Sequence, residues 1–450
     1  MKELLNPKSV AIVGASSNPE KVGATILLNL LRNGFSGKIF PVNPKYEELF
    51  SLKCYKSIKS IKQNIDVVVI ATPADTVPGI IKEAKNKCKY AIIISGGFGE
   101  TGNVKAEKEL KEHGKGMKII GPNCLGVFSS KSMFDTLFFP YSKLERPQQG
   151  NVAIISQSGG IGSCLMGQAA KNNVGIHSFI SYGNSYFLNE SDFLDYYANE
   201  KDVKTIILYI EGTTDGKRFI KSLENACKKK PVIVLKAGKE GKAKEAAKTH
   251  TGAIAGSYIS YKAVFKKAKA IEVSDMEEMF DTIKIIKNNN LPKGNNIGII
   301  TNGGGLGVMA ADEAVKLGLN IAELSNETKE KLKKDMPQYV NITNPLDIVA
   351  DANVERYEKA IKAFMEDKNI DMISINILMQ PPSMNNGIIQ KIITFREKPI
   401  AICIPGGNIE EQVRRSMLAH DIPTYAYPER AIRALHKLYE YSKMLNSDKY

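Results

Sequence analysis

Short apolar runs, each closed by Gly, Ser, Pro or Asn, mark out the first 128 residues. They read as strands at Val10–Val13, Lys38–Val42, Val67–Ile70, Ala91–Ile94 and Lys118–Ile120. Helical stretches alternate with them, which predicts a doubly wound α/β domain over residues 1–128. In such a sheet the ligand binds beyond the carboxyl ends of the strands, where the polar loops gather. Residues 129–149, with Pro140, Pro147 and a Gln pair, read as a linker.

The pattern then repeats. Asn151 to Gly162 (NVAIISQSGGIG) aligns with Asn296 to Gly307 (NIGIITNGGGLG), each an apolar strand, a polar-glycine turn and the start of a helix. A repeat of this length is a domain duplication, not a solenoid. It predicts two related open parallel-sheet domains, at 150–290 and 295–440. The full 450 residues then suit about three domains of roughly 150 residues each.

Composition narrows the class. At 24% charged and 43% hydrophobic residues the chain reads as an ordinary soluble protein. The start lacks a signal-peptide apolar region, and no apolar run reaches the ~18 residues of a bilayer span. A cytoplasmic protein with no membrane partner is expected. Six cysteines, at 54, 88, 124, 164, 227 and 403, lack paired spacing, so neither a zinc site nor a disulfide framework is expected and no metal ligand is assigned. The net charge of +14 is spread along the chain without a nucleic-acid-binding motif. Anionic cofactors or an acidic partner subunit account for it instead.

Two turns carry phosphate chemistry. Ser156-Gln157-Ser158-Gly159-Gly160 and Thr301-Asn302-Gly303-Gly304-Gly305 each lead from a strand into a helix, whose N-terminal N–H groups favour phosphate. The phosphate-binding candidates are therefore Ser158, Gly159, Gly160, Gly303, Gly304 and Gly305. His250 stands among small residues in Lys248-Thr249-His250-Thr251-Gly252, without helical or strand periodicity, so a moving loop carrying a nucleophilic imidazole is expected. The other reading is an idle exposed histidine. His177 falls in a predicted strand, His420 and His436 on C-terminal helices, and His113 in a Gly-Lys loop; none of these invites a role.

Glu211 ends the apolar run Thr205–Ile210, placed to orient an imidazole as triad carboxylates do. A helix N-terminal acid is the alternative. Lys236, Lys239 and Lys242 read either as phosphate partners or as a solvated basic loop. The first loop, Gly14-Ala15-Ser16-Ser17-Asn18 with Lys21 and Gly23, departs from the dinucleotide fingerprint. The second strand ends Val42-Asn43-Pro44, without the acidic residue that would hold an NAD ribose. An NAD-linked oxidoreductase is thus disfavoured. Ser95-Gly96-Gly97-Phe98-Gly99-Glu100 and Gly121-Pro122-Asn123-Cys124 close the fourth and fifth strands on the same edge, marking a ligand cleft. Cys124 reads as a small buried thiol.

Taken together, VGAS, SGGFGE, GPNCLG, SQSGG, YIEG with DGKRF, THTGAIAGS, TNGGG and NPLDI make the chain resemble the α subunit of the NDP-forming acyl-CoA synthetases, in their acetate–CoA ligase (ADP-forming) branch, relatives of succinyl-CoA synthetase. The resemblance covers essentially the whole chain. One segment departs: after Gly183-Asn184 the family carries a Lys-Ala-Asp-like run, whereas Ser185-Tyr186-Phe187 stands here, which bears on the acyl pocket.

The resemblance implies a Rossmann-like CoA-binding domain followed by two flavodoxin-like, succinyl-CoA synthetase-like domains. It implies coenzyme A near Gly14, Ala15, Ser16, Lys21, Asn43, Thr72 and Pro73, with its thiol toward Gly97 and Asn123. It also implies phosphate attack on the thioester, an acyl phosphate, phosphorylation of His250, and the two glycine turns as "power helices" holding the phosphate. No Walker A motif or ATP-grasp domain is found, so Mg and ADP/ATP are expected on an ATP-grasp β subunit, in an α2β2 hetero-oligomer. A non-catalytic acyl-CoA-binding regulatory module is the alternative from another class.

Overall fold

The computed structural model describes residues 1–239 and 257–446. The chain divides into two units, Met1–Met276 and Glu277–Tyr450. Among the described residues, the first holds two large sheets and a short antiparallel ladder of Glu48–Leu49 with Leu52–Lys53, and the second holds one sheet.

The first sheet is built from β1 (Ser9–Val13), β2 (Lys38–Val42), β3 (Ile65–Ile70), β4 (Cys88–Ile93) and β5 (Lys118–Ile120), all parallel, in the order β2-β1-β3-β4-β5. Its continuous apolar runs follow from burial on both faces. Successive side chains point to opposite sides of a strand. Val10, Ile12, Val67, Val69 and Ile92 therefore join one core, while Ala11, Val13, Val68, Ile70 and Ile93 join another. Because β2 and β3 flank β1, the strand order reverses at β1, and the loops after β1 and β3 open beside each other.

The second sheet contains β6 (Val127–Ser129), β7 (Phe134–Asp135), β8 (Gln149–Ser156), β9 (Ile176–Ser181), β10 (Thr205–Ile210), β11 (Val232–Lys236) and β12 (Ile271–Val273), in the order β12-β11-β10-β8-β9-β6-β7. All pairs are parallel except β9 with β6 and β6 with β7. The stretch 129–149 is thus no loose linker. It contributes β7 to this sheet edge, and Arg146 Nε meets Asp135 Oδ2 at 2.9 Å with both side chains buried. Arg146 also donates to the carbonyl of Phe139 at 2.8 Å. A buried pair persists only with such extra hydrogen bonds, and Pro/Gln composition alone does not reveal them.

In the second unit, β13 (Asn296–Thr301), β14 (Asn320–Ile321), β15 (Leu346–Asp347), β16 (Met372–Asn376), β17 (Ile400–Cys403) and β18 (Thr424–Tyr425) form a parallel sheet, β14-β13-β16-β17-β18, with β15 also on β13. Its faces again split the core: Ile300, Ile373 and Ile375 on one side, Ile297, Ile299 and Met372 on the other. The helix Met276–Asn288 packs here. Lys284 Nζ reaches the carbonyl of Thr424 at 3.2 Å and Asp281 pairs with Arg430 at 2.8 Å. The last described helix, Pro428–Asn446, runs beyond the expected end at residue 440.

Candidate active site

All three large sheets reverse strand order at their first long strand, so each makes a crevice at its carboxyl edge. In the first sheet this is where the expected CoA residues fall. Gly14 closes β1 with φ +90°, and a Cβ there would sit 2.5 Å from the carbonyl oxygen of Ala71, so only glycine fits between the β1 and β3 loops. Helix α1 (Val22–Arg32) starts beneath this turn. A Cβ on Gly23 would lie 2.0 Å from the Gly14 carbonyl oxygen, so the helix N-terminus comes up against the loop. Ala15 and Ser16 are buried, Lys21 is the exposed N-cap of α1, and Asn43 ties the β2 loop across by donating to the Ala15 carbonyl at 2.7 Å. Thr72 and Pro73 follow β3, with Thr72 accepting from Thr76 Oγ1 at 2.8 Å.

Gly97 and Asn123, at the ends of β4 and β5, meet through residues the sequence did not single out. Glu100 Oε1 accepts from the N–H groups of Gly97 (2.7 Å) and Phe98 (3.2 Å), and its Oε2 accepts from Asn184 Nδ2 (2.6 Å). Asn123 Nδ2 donates to Asn184 Oδ1 at 3.3 Å. Asn184 therefore pins the first sheet's loops to the second sheet. The divergent Tyr186 adds a second pin: its hydroxyl donates to Glu107 at 3.0 Å and accepts from the Gly99 N–H at 3.2 Å. Burial and the Glu107 carboxylate push the Tyr186 phenol upward, so it stays a donor. Cys124 is buried with its thiol pushed up to about 12 by burial, which suits packing and not nucleophilic chemistry.

The first glycine turn leads from β8 into helix α2 (Gly159–Lys171). Ser158 caps the helix, accepting from the Ile161 N–H at 3.3 Å, and Ser156 Oγ donates to the Ser158 carbonyl at 2.7 Å. Gly160 is exposed at the helix mouth, where a Cβ would meet nothing closer than Ser158 Oγ at 4.0 Å. Gln157 is buried and turns inward. Its Oε1 accepts from the N–H groups of Glu211 (2.7 Å) and Gly212 (3.1 Å), bridging to the neighbouring β10.

Glu211 is thereby held at a strand's end beside the turn, with Tyr209 donating to its Oε1 at 3.2 Å. The helix-terminal acid is Asp215 instead, which caps α4 (Gly216–Cys227) by accepting from the Arg218 N–H at 3.0 Å. Lys236 is no solvated loop lysine: it is buried, donating to the Glu211 carbonyl at 2.8 Å. Lys239 is partly buried against Glu272 at 3.6 Å. His250 and Lys242 lie outside the described residues.

The second glycine turn opens helix α7 (Gly304–Lys316). Thr301 Oγ1 donates to the Gly303 carbonyl at 2.9 Å, and Asn302 clasps the backbone of Leu378 after β16, accepting at 2.8 Å and donating at 3.0 Å. A Cβ on Gly304 would lie 2.9 Å from Asp347 Oδ2, so a carboxylate already faces this turn; Gly305 has open space.

The remaining histidines sit elsewhere. His113 ends the helix Val104–His113, with Nδ1 3.1 Å from the Pro78 carbonyl. His177 stands in β9, where Glu200 and Asp202 approach it with metal-ligand spacing. Lys131 already pairs with Asp202 at 2.8 Å and Tyr196 with Glu200 at 2.8 Å. That group lies by the amino ends of the strands, opposite the turns.

Residues 8–130 match the CoA binding domain family, 149–286 the succinyl-CoA ligase like flavodoxin domain and 297–446 the ligase-CoA domain. The chain is 37% identical over 449 residues to acetate–CoA ligase [ADP-forming] I of Archaeoglobus fulgidus, covering 99% of itself and 64% of that protein. It is 38% identical to acetate–CoA ligase [ADP-forming] II subunit alpha of Pyrococcus furiosus, covering 97% of each. Among solved structures it superposes on the dinucleotide forming acetyl-coenzyme A synthetase 1 of Ca. Korarchaeum cryptofilum, in complex with phosphate and ADP, with a TM-score of 0.91 and 33% identity over 98% of this chain and 97% of that one. Among the described residues, no helix is long and apolar enough to cross a membrane. The fold is a Rossmann-like CoA-binding domain followed by two succinyl-CoA synthetase-like domains, and the chain belongs to the family of ADP-forming acetate–CoA ligases, the NDP-forming acyl-CoA synthetases.

Proposed function

We propose that the chain is the CoA-binding, phosphohistidine-bearing α subunit of an ADP-forming acyl-CoA synthetase, interconverting acyl-CoA, ADP and phosphate with carboxylic acid, CoA and ATP. Acetate is the acid. The nucleotide and Mg bind an ATP-grasp β subunit, in an α2β2 assembly in the cytoplasm. The observation that carries this reading is the Gln157 bridge, which ties the open α2 turn to the Glu211 strand end.

CoA lies over the Gly14–Ser16 turn, with Lys21 near its phosphates and Asn43, Thr72 and Pro73 along its path, so that the thioester ends near Gly97 and Asn123. Phosphate held at Ser158, Gly159 and Gly160 attacks the thioester carbonyl; the C–S bond breaks, and CoA leaves with a proton. Neutral His250 then attacks the phosphorus of the acyl phosphate, and the carboxylate departs. Glu211 accepts a hydrogen bond from the other ring nitrogen and stabilises the phosphorylated imidazole. Backbone N–H groups at the helix start offset charge on the transferring phosphoryl group without reorganising. Gly303, Gly304 and Gly305 take part as the second turn when the group passes to ADP.

Mass spectrometry of the full chain after incubation with acetyl-CoA plus phosphate, and separately with acetyl phosphate, tests this. An acid-labile phosphate on His250, absent from His250→Ala, is expected. No label, with or without a matching ATP-grasp subunit, would leave a non-catalytic acyl-CoA-binding module as the better description.

A further inference from the structure

Lys236 ends β11 with its side chain only 2% exposed. A buried ammonium is costly and needs acceptors on every side. Here Nζ donates to the carbonyl of Glu211 at 2.8 Å and to that of Ala237, and lies 4.8 Å from the ring centre of Tyr261 on helix α5 (Tyr258–Ala268). The Tyr261 hydroxyl in turn accepts from the N–H of Thr213 at 3.0 Å, and Thr213 Oγ1 donates to the buried Glu190 of α3 (Glu190–Asn199) at 2.5 Å. The Glu211 residue is thus gripped from both sides, its N–H by Gln157 and its carbonyl by Lys236.

We propose that Lys236 is a positioning residue of the phosphoryl-transfer site, its positive charge holding the Glu211 turn and offsetting the negative charge that gathers there as phosphate arrives. This rests on the function proposed above. The Glu211 carboxylate and the phosphoryl group are both anionic, and Lys236 is a buried cation bonded to the carbonyl of Glu211 itself.

Burial lowers the Lys236 ammonium to about 8; the Glu211 carboxylate opposes that shift and the Lys239 ammonium adds to it. Among the described residues these groups, with the Tyr261 phenol, are the titratable ones that face it; Glu190 is one hydrogen bond removed through Thr213. The neutral amine keeps N–H groups for both carbonyls. Alkaline pH therefore removes the charge and leaves the hydrogen bonds, which separates the electrostatic role from a structural one.

The test is the rate of His250 labelling by acetyl phosphate across pH 6–10, for the full-length wild type, Lys236→Met and Lys236→Arg, with CoA binding followed by calorimetry. The wild-type rate should fall above about pH 8, approaching tenfold per unit. Lys236→Met should bind CoA as the wild type does, label roughly tenfold or more slowly at pH 7 and lose the alkaline limb. Lys236→Arg should carry the limb beyond pH 10. A Lys236→Met chain with wild-type rate and limb overturns the proposal while leaving the phosphohistidine reading intact. A wild type that never labels overturns both. Should the Met variant lose CoA affinity, the other two profiles decide: a limb displaced in Arg supports the proposal, and an identical limb in both overturns it.

Discussion

The two glycine turns, one in each unit, share a backbone plan and differ in what faces the helix start. In both, a strand-end hydroxyl (Ser156 or Thr301) donates to the carbonyl of the helix N-cap residue (Ser158 or Gly303). In both, a buried amide (Gln157 or Asn302) reaches across to the loop of the neighbouring strand. The first turn, however, has a side-chain cap, an open mouth at Gly160, and a carboxylate held by its backbone on the adjacent strand. The second lacks a side-chain cap, and Asp347 projects an oxygen at Gly304. The two turns share the hydrogen-bond scaffold that makes a helix N-terminus present its N–H groups. The charges around each turn are what differ.

Breaking the amide bridge has the largest expected effect. Gln157→Ala leaves the buried N–H groups of Glu211 and Gly212 without their acceptor, costing about 1–3 kcal/mol in urea unfolding. It should also lower His250 labelling roughly 100-fold, because the Glu211 turn is released. Asn302→Ala should cost similar stability in its own unit and leave labelling by acetyl phosphate near the wild-type rate, since the second turn acts when the group passes to ADP. Equal losses of rate would erase the distinction between the turns.

The helix-to-strand contact comes next. A Cβ on Gly162 would lie 2.6 Å from the Phe179 ring, whereas on Gly307 it would meet Thr301 Cγ2 at 3.0 Å. Gly162→Ala should destabilise by about 1–2 kcal/mol, since overpacking outweighs the gain in helix propensity. Gly307→Ala should fall near neutral, as thermal unfolding of the two variants will reveal.

Neutralising Asp347 sharpens the electrostatic contrast. Asp347→Asn keeps an oxygen for the Val349 N–H, now accepted at 2.9 Å, and removes a charge from the α7 start. Inorganic phosphate should then inhibit phosphoryl transfer from the labelled chain to ADP, with the matching ATP-grasp subunit present, at roughly 2–5-fold lower concentration, the span of about 0.3–1 kcal/mol for a charge at a helix end. An unchanged inhibition constant would mean that phosphate does not visit this turn.

Stability should also slope with pH. Lys236 is lowered from 10.5 to about 8 on folding, so between those values the folded chain binds fewer protons than the unfolded one. Stability from this group therefore rises with pH across that window, opposite to the fall expected in labelling rate. Thermal midpoints of the wild type relative to Lys236→Met should climb from pH 8 to 10.5; a flat difference would mean Lys236 is not held as a buried cation.

Much of this was legible in the chain. The Val/Ile runs announced the strands because a parallel sheet buried on both faces tolerates few polar positions. The strand-glycine-helix pattern recurs in both later sheets as the repeat suggested, and Gly14 and Asn123 stood at loops where they indeed occur. Gln157 and Glu100 were inside recognised motifs, yet their roles were not readable, because each acts on a residue 54 or 84 positions away. Arg146 and Asp135, only 11 positions apart, were hidden for another reason: the Pro and Gln content of their stretch reads as a tether.

The sequence by itself determined the local order: which runs form strands, where turns must admit glycine, and which residue types offer phosphate and imidazole chemistry. Period and backbone sterics act within a few residues, so they can be read in one dimension. Only the tertiary structure decided which loops share a crevice, that Lys236 is buried and not solvated, and that Asn184 and Tyr186 lock the first sheet's loops to the second. Strand order creates those neighbours, and burial sets the strength of every charge and hydrogen bond between them.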